Sequence, residues 1–327
     1  MLNKKNVAIL TGGKSAELEI SLASAQVVYN NLNKEIYNVF LVNISEIPWS
    51  VSQNGNNIAA IDLNDFSFSI ENKKTNFDVV FMAIHGTPAE DGRVQGYFDI
   101  LNIPYTCSSS LASAITFDKD ICKKLLKDFP IKMAKSVLLN TKNRNKISIT
   151  ESLKLPVFVK PNKNGSSYGT FKVSKENELE NAINKAFEYD DEVLVEEFID
   201  GRELACGIFE HDNKLVPLPL TEIISENEFF DYEAKYQGKS KEITPAKIPD
   251  NISKEAQEKA KLIYRLLKLK GAVRIDYFLK ETELYLLEIN TIPGLSAESI
   301  LPQEAKAAGY TLEQFFGIMI EEALNLG

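Results

Sequence analysis

The sequence predicts an α/β protein of two or three domains, and three observations carry that prediction. Residues 6–42 read as strand, glycine turn, helix and strand, the opening of an α/β domain. Phe77 to Ile84 is an almost wholly apolar run, the pattern of a strand buried on both faces. Beyond Gly271, two runs rich in β-branched, aromatic and leucine residues flank the polar segment Lys280 to Glu283, the pattern of a β-hairpin. A chain of 327 residues is too long for one small core.

Taken in order, the first strand is Val7–Leu10, turned by Thr11-Gly12-Gly13 into a helix from about Glu17 to Leu32 and a strand at Tyr37–Val42. Asn54-Gly55 between short apolar runs marks a hairpin within 49–63. The Phe77–Ile84 strand ends at His85-Gly86. A central region from near Cys107 holds a helix at Lys119–Lys127, strands at Lys135–Leu139 and Leu155–Lys160, a helix at Glu176–Glu188 and a strand at Glu192–Phe198. From Asp200-Gly201 come strands at Leu204–Phe209 and Leu215–Leu220. Glu222 to Pro245 has neither helical nor strand period, and so long a stretch suggests a lid or binding loop. Ser253 is expected to cap a helix with the stripe Ala256, Ala260, Ile263 and Leu267, stopped at Gly271. A short helix is expected near Gln303–Ala308. Thr311 and Gln314 form a capping box for a last helix with Leu312, Phe315, Phe316 and Met319 facing inward. The boundaries expected are 1–106, 107–199 and 200–327, with the lid at 222–245 and the hairpin at 272–294.

Net charge of −9 with no long basic run argues against a nucleic-acid surface, so any anion site must be a local cluster of lysines and arginines. No apolar run approaches the roughly 20 residues that span a bilayer. The lysines and short apolar run of the N-terminus read as a first strand rather than a signal peptide. Cys107, Cys122 and Cys206 show no CxxC spacing and fit incidental thiols in a reducing compartment, with the cytoplasm as the default.

Four segments can carry chemistry. If the hairpin turn centres on Thr282, Asp276 opposes Glu288 and Arg274 opposes Asn290, and all four project from one face. Val273, Ile275, Tyr277, Leu279, Tyr285, Leu287 and Ile289 then form the other face. Two carboxylates and an amide oxygen beside an arginine suit Mg²⁺ shared with phosphate oxygens; a solvated face of cross-strand ion pairs weighs equally. The sharp turn Thr291-Ile292-Pro293-Gly294 favours the ligand site. The second segment is a strand ending in Lys160, followed by Pro161 and the loop Asn162 to Gly169. It can cradle phosphates through backbone N–H groups and a lysine, though it is neither a Walker A loop nor a Rossmann fingerprint. Alone, it reads slightly better as an ordinary hairpin turn; the carboxylate hairpin downstream shifts the reading toward a nucleotide site. The third, Glu196-Glu197-Phe198-Ile199 to Glu203, can offer backbone to an adenine edge and Glu203 to a ribose, or be merely an acidic strand end. In the fourth, Glu17 in a first helical turn is either dipole-stabilised structure or a partner for a substrate ammonium. His85 sits at the carboxyl end of a strand, where α/β proteins bind ligands, although a lone histidine is more often structural. His211, in a turn, has no assigned role.

The motifs GGKSAELEISL, HGTPAEDGRVQG, KPNKNGSSYG, EEFIDGRE, DYEAKY, RIDYFL and LLEINTIPGLSAESILP, in this order along essentially the whole chain, resemble the D-alanine–D-alanine ligases of the ATP-grasp superfamily. Ala89, where glycine is commoner in that family, and Ile300, where leucine is commoner, are small departures bearing only on substrate fit. The resemblance implies an ATP-grasp fold with the nucleotide between the central and C-terminal domains. Lys119 and Lys160 would meet its phosphates, Glu196, Glu197, Phe198 and Ile199 its adenine, and Glu203 its ribose. Asp276, Glu288 and Asn290 would bind two Mg²⁺ ions, with Mn²⁺ able to substitute. Glu17 would meet the first D-alanine's ammonium in a hydrogen-bonded set with Ser166 and Tyr236. His85 would lie near that substrate's carboxylate, and Lys235 would reach the γ-phosphate from the lid. Arg274 and the Gly294 N–H would face the oxyanion, while Ser299 and the Ile300 backbone hold the second carboxylate. The implied activity makes D-alanyl-D-alanine for peptidoglycan through an acyl phosphate, in a homodimer without nucleic-acid or membrane partners.

Close rivals are ligases making D-alanyl-D-lactate or D-alanyl-D-serine; Tyr236, where ester-forming members tend to carry histidine, favours the dipeptide. An ATP-grasp carboxylase or another amino-acid ligase is more distant. A non-catalytic nucleotide-binding protein ranks low, because Arg274, Asp276, Glu288 and Asn290 are all present.

Overall fold

The computed structural model describes residues 4–15, 17–142, 149, 152–225 and 240–325. The opening run builds β1 (Lys5–Thr11), α1 (Leu18–Asn31) and β2 (Tyr37–Asn43), followed by the hairpin β3 (Ser50–Gln53) and β4 (Asn56–Ala60) around Asn54-Gly55. A small hairpin, β5 (Ser67–Ile70) with β6 (Lys73–Asn76), precedes β7 (Val79–Met82). The first sheet has the order β4-β3-β2-β1-β7, and β1 is parallel to both β2 and β7. β7 ends this order yet is buried on both faces, Val79 and Phe81 in one core and Val80 and Met82 in another, which is why it is apolar at every position.

The helices α2 (Arg93–Leu101), α3 (Ser110–Phe117) and α4 (Lys119–Leu126) follow; of these, the sequence analysis anticipates only α4. The capping pairs Ser109 to Ala112 N–H and Asp118 to Ile121 N–H start α3 and α4. The short β8 (Lys132–Met133) leads to a second, antiparallel sheet. Its strands are β9 (Ser136–Asn140), β10 (Val157–Pro161), β11 (Phe171–Val173) and β12 (Glu192–Glu197), in the order β11-β10-β12-β9. The helix α5 (Glu176–Ala186) covers one face through Leu179, Ala182, Ile183 and Ala186.

The third sheet has the order β16-β15-β13-β17-β18-β8, with β14 also on β13. Its strands are β13 (Arg202–His211), β14 (Lys214–Pro217), β15 (Thr221–Ser225), β16 (Ser240–Ile243), β17 (Val273–Lys280) and β18 (Glu283–Asn290). β15 and β16 correct the expectation of an aperiodic 222–245: its two ends pair, with Glu222 opposite Ile243. The helix α6 (Asp250–Leu266) packs Ala256, Ala260 and Ile263 on one face of this sheet. It starts a turn before the expected Ser253, with Pro249 as its cap residue, because Ile252 is buried with the stripe and extends it backwards. α7 (Ile300–Ala307) and α8 (Leu312–Asn325) close the chain. The capping box forms: Thr311 N–H donates to Gln314 Oε1 and Gln314 N–H to Thr311 Oγ1, at 2.9 and 3.2 Å. Phe315 and Phe316 share one core with Val7 and Ile9 of the first sheet, Val28 of α1 and Phe209 of the third sheet, so the first and last elements are packed together. Among the described residues no helix is long and apolar enough to cross a membrane.

Candidate active site

The hairpin β17–β18 supplies the centre. Arg274 pairs with Asn290 and Asp276 with Glu288, the pairs expected from a turn centred on Thr282. The turn itself differs from the expectation: Lys280 pairs with Glu283, so it is the two residues Glu281-Thr282, and a bulge beyond Asp276 restores the register. The bulge adds Leu287 to β18, which corrects the apolar face. Leu284 and Leu286 enter the core beside Val273, Ile275, Tyr277, Leu279 and Ile289, whereas Tyr285 and Leu287 line a cavity on the opposite side.

Arg274 grips Asp276 in a fork, with Nε at 2.9 Å from Oδ1 and Nη2 at 2.8 Å from Oδ2. Asn290 Nδ2 donates to the same Oδ2 at 3.0 Å. Burial opposes the guanidinium charge, but the Asp276 carboxylate raises the arginine's pKa above its usual value. Among the described residues no three His, Cys, Asp or Glu side chains gather as a metal cage. Two carboxylates and one amide are an incomplete set of hard oxygen donors, which fits Mg²⁺ completed by phosphate oxygens and water better than a cation held by protein alone.

On one side of the hairpin lies a cavity of about 550 Å³ between the second and third sheets. Lys119, Lys160, Phe198, Ile199, Glu203 and Glu288 are among its lining residues. Lys119 begins α4 and donates to the Asn164 carbonyl at 2.7 Å. Buried Asn162 fixes that helix, accepting from Asp120 N–H at 2.9 Å and donating to Asp118 at 2.8 Å. Burial, reinforced by Lys160, lowers the Lys119 pKa, and Glu288 opposes the shift. Lys160 meets Glu196 at 2.5 Å, and Lys123 meets the other oxygen of the same carboxylate at 2.5 Å. Burial alone would raise the Glu196 carboxyl, yet the two ammoniums hold it down at about 2. Its carboxylate is thus committed to lysines, leaving only the strand's backbone to serve as a nucleotide edge. Glu197 accepts from Lys135 N–H at 2.8 Å. The Lys172 ammonium lies over the Phe198 ring, 4.5 Å from its centroid.

On the other side is a cavity of about 290 Å³ that includes Glu17, Ser166, Glu242, Arg274, Gly294 and Ser299 in its lining. Gly165 and Glu288 border both cavities, so they mark the junction. Ser166 donates to Glu17 Oε1 across the first and second sheets. Gly86, at φ +73°, keeps this corner open: a Cβ there would lie 2.8 Å from Ser15 Cβ and 3.1 Å from Glu17 Oε2. Ser299 caps α7 by position but not by side chain; its hydroxyl turns to Ser296 Oγ at 2.7 Å. A Cβ on Gly294 would lie 2.7 Å from Ser299 Oγ, so only glycine permits this approach. Ile300 is buried against Ala205 and Ile223.

His85 bolts the parts together. Its Nδ1 lies 3.0 Å from the Ile292 carbonyl, which can only accept, so Nδ1 carries the proton. Its Nε2 then accepts from the Ser24 hydroxyl at 2.9 Å, and Ser24 Oγ accepts from Leu295 N–H at 3.1 Å. Burial lowers the ring's pKa, consistent with this neutral tautomer. Both ring nitrogens therefore hold the 292–295 turn to α1. Lys235 and Tyr236, with the DYEAKY run and most of the expected lid, lie outside the described residues.

Sequence reasoning missed Asn162, Lys123, Ser24, Glu90 and Glu242. Glu90 borders the substrate-sized cavity, and burial with Glu17 nearby pushes its carboxyl up to about 8. Asn162 and Glu90 lie inside recognised motifs and Glu242 inside the expected lid; Lys123 and Ser24 carry no local signal, because their partners come from distant segments. The thiols of Cys107 and Cys122 are pushed up to about 12 by burial, and that of Cys206 is raised further, in keeping with unreactive cysteines.

The chain matches the family models described as D-ala D-ala ligase N-terminus, over residues 6–108, and D-ala D-ala ligase C-terminus, over residues 125–321. It is 46% identical over 321 residues to a D-alanine–D-alanine ligase of Flavobacterium johnsoniae, covering 98% of this chain and 99% of that one. It is 42% identical over 320 residues to one from Bacteroides fragilis, with 97% and 99% covered. Among solved structures it resembles the VanG D-Ala:D-Ser ligase of Enterococcus faecalis (TM-score 0.89, 33% identity, 98% and 100% covered). It also resembles a D-alanine–D-alanine ligase of Bacillus anthracis complexed with ATP (TM-score 0.81, 30% identity, 99% and 98% covered).

Proposed function

This chain belongs to the D-alanine–D-alanine ligase family, and on that premise we propose that it joins two D-alanine molecules at the expense of ATP, for peptidoglycan precursor synthesis. One observation supports the reading above others. The cavity that presents Lys119 and Lys160 and the cavity that holds Glu17, Glu242 and Arg274 meet at Glu288. ATP occupies the larger cavity, its phosphates facing Lys119 and Lys160, its adenine along Glu196 to Ile199 and its ribose at Glu203. Asp276, Glu288 and Asn290 would hold Mg²⁺, which when bound neutralises the phosphate oxygens. We take the number of ions as two, with Mn²⁺ an effective substitute.

Glu17, fixed by Ser166, receives the ammonium of the first D-alanine and orients its carboxylate toward the γ-phosphate. Phosphoryl transfer depends on such positioning and charge neutralisation. The first carboxylate leaves this step as D-alanyl phosphate, releasing ADP. The second amine attacks that carbonyl, the oxyanion faces Arg274 and the Gly294 N–H, and phosphate departs. Ser299 and the Ile300 N–H hold the second carboxylate. His85 keeps the Gly294 turn in register with α1. Lys235 and Tyr236 are assigned to a lid, over 222–245, that keeps water from the acyl phosphate. The domain limits 1–106, 107–199 and 200–327, a homodimeric state and a cytoplasmic location belong to the same reading.

The test is phosphate release from ATP with D-alanine alone, followed by product mass. The expected outcome is D-alanyl-D-alanine with one phosphate per dipeptide. Phosphate release without dipeptide, or a product other than the dipeptide, would overturn the assignment.

A further inference from the structure

Resting on that reading of the cavity, we infer that Glu242 receives the ammonium of the second amino acid and thereby selects amines over hydroxy acids as acceptors. Two zwitterions must share the smaller cavity, and each ammonium needs an anionic partner there. Glu17, tied to Ser166, serves one end. The other end, at Ser299 and the start of α7, suits a carboxylate. An amino acid's ammonium lies one carbon from its carboxylate, so its partner must be at this same end.

Among the carboxylates lining the cavity, Glu90 and Glu288 also border the small cavity that contains Lys119, on the nucleotide side. Glu298 also lines the cavity but is exposed, so water screens its charge. Glu242 remains. On β16 it stands opposite Ile223, which stands opposite Glu203, which stands opposite Phe278. Directly opposed residues share a face, so Glu242 projects from the face that carries Arg274 and Asp276. Gln303 holds it: Nε2 donates to Glu242 Oε2 at 2.8 Å and to the Glu298 carbonyl at 2.9 Å. One carboxylate oxygen is thereby fixed from the helix that begins at Ile300.

The experiment measures steady-state kinetics and competition products with D-alanine as first substrate and either D-alanine or D-lactate as acceptor. Wild-type enzyme that makes no dipeptide at all would refute the functional reading; the present inference is scored only on variants relative to an active wild type. Glu242→Gln should raise KM for the second D-alanine by about 10- to 100-fold, the usual effect of losing a hydrogen bond to a charged group. KM for ATP and for the first D-alanine should stay within about twofold, and the small ester fraction should rise by a similar factor. A merely structural Glu242 would weaken both acceptors alike. Gln303→Leu, which frees the Glu242 carboxylate but keeps its charge, should move the ratio in the same direction by a smaller factor. An unchanged amine-to-hydroxyl ratio in Glu242→Gln, or a larger ratio change in Gln303→Leu than in Glu242→Gln, overturns the inference. Should Glu242→Gln not fold, Glu242→Ala is judged by that same ratio.

Discussion

The two cavities that meet at Glu288 are both rich in carboxylates and differ in how they carry positive charge. The larger presents Lys119 and Lys160 on rigid elements, with Glu196 placed between Lys160 and Lys123 to hold their charges in a buried setting. The smaller is lined by carboxylates around the single guanidinium of Arg274, which is itself forked to Asp276. A highly charged anion needs fixed cations; two zwitterions need separated anions with one cation between them. On the proposed reading, the contrast teaches that a chain of net charge −9 makes an anion site by concentrating a few lysines, not by a basic surface.

The largest test strikes the shared border. Asp276→Asn and Glu288→Gln should each lower turnover by at least about a thousandfold with the fold intact by circular dichroism, since charge at the transferring phosphoryl group goes unneutralised. Near-normal phosphate release at low Mg²⁺ in either variant would break the assignment of that border.

Next comes the cationic side. Lys160→Met should raise KM for ATP about 10- to 100-fold while leaving KM for D-alanine little changed. Glu196 offers a stability readout on the same cluster. Its folded pKa of about 2 lies below the ordinary 4.5, so its contribution is complete above pH 4.5 and is lost as pH falls toward 2. Chemical denaturation of wild type and Glu196→Gln should show the wild-type advantage shrinking across that window by about 3 kcal/mol in all. Parallel pH dependence of the two proteins would mean that the lysines do not depress this carboxyl.

On the carboxylate side, Gly294→Ala should raise KM for the second D-alanine about tenfold with KM for ATP unchanged, because the new methyl displaces the Ser299 hydroxyl. Equal loss on both substrates would show that the two cavities are not independent. The smallest effect lies outside both: Thr311→Ala removes half of the capping box and should cost about 1 kcal/mol in thermal or urea unfolding with unchanged kinetics. A kinetic change there would mean that α8 reaches the site through the core it shares with β1.

The sequence by itself determined the elements whose signals are local. A turn centred on Thr282 placed Asp276 opposite Glu288 and Arg274 opposite Asn290, and those pairs form, although the turn is two residues and a bulge makes up the difference. Strand, turn and capping chemistry likewise located β1, α1, the Asn54-Gly55 hairpin and the α8 cap. The bulge at Leu287 was not legible, since one extra residue leaves the polar pairs aligned while moving Tyr285 and Leu287 to the other face. Only the tertiary structure decided that Glu196 answers two lysines, that Asn162 anchors α4, and that both nitrogens of His85 are spent on holding a turn. Those contacts join residues tens to hundreds of positions apart. Their energies depend on burial and on which partner arrives, and neither is written in the spacing of residues along one segment.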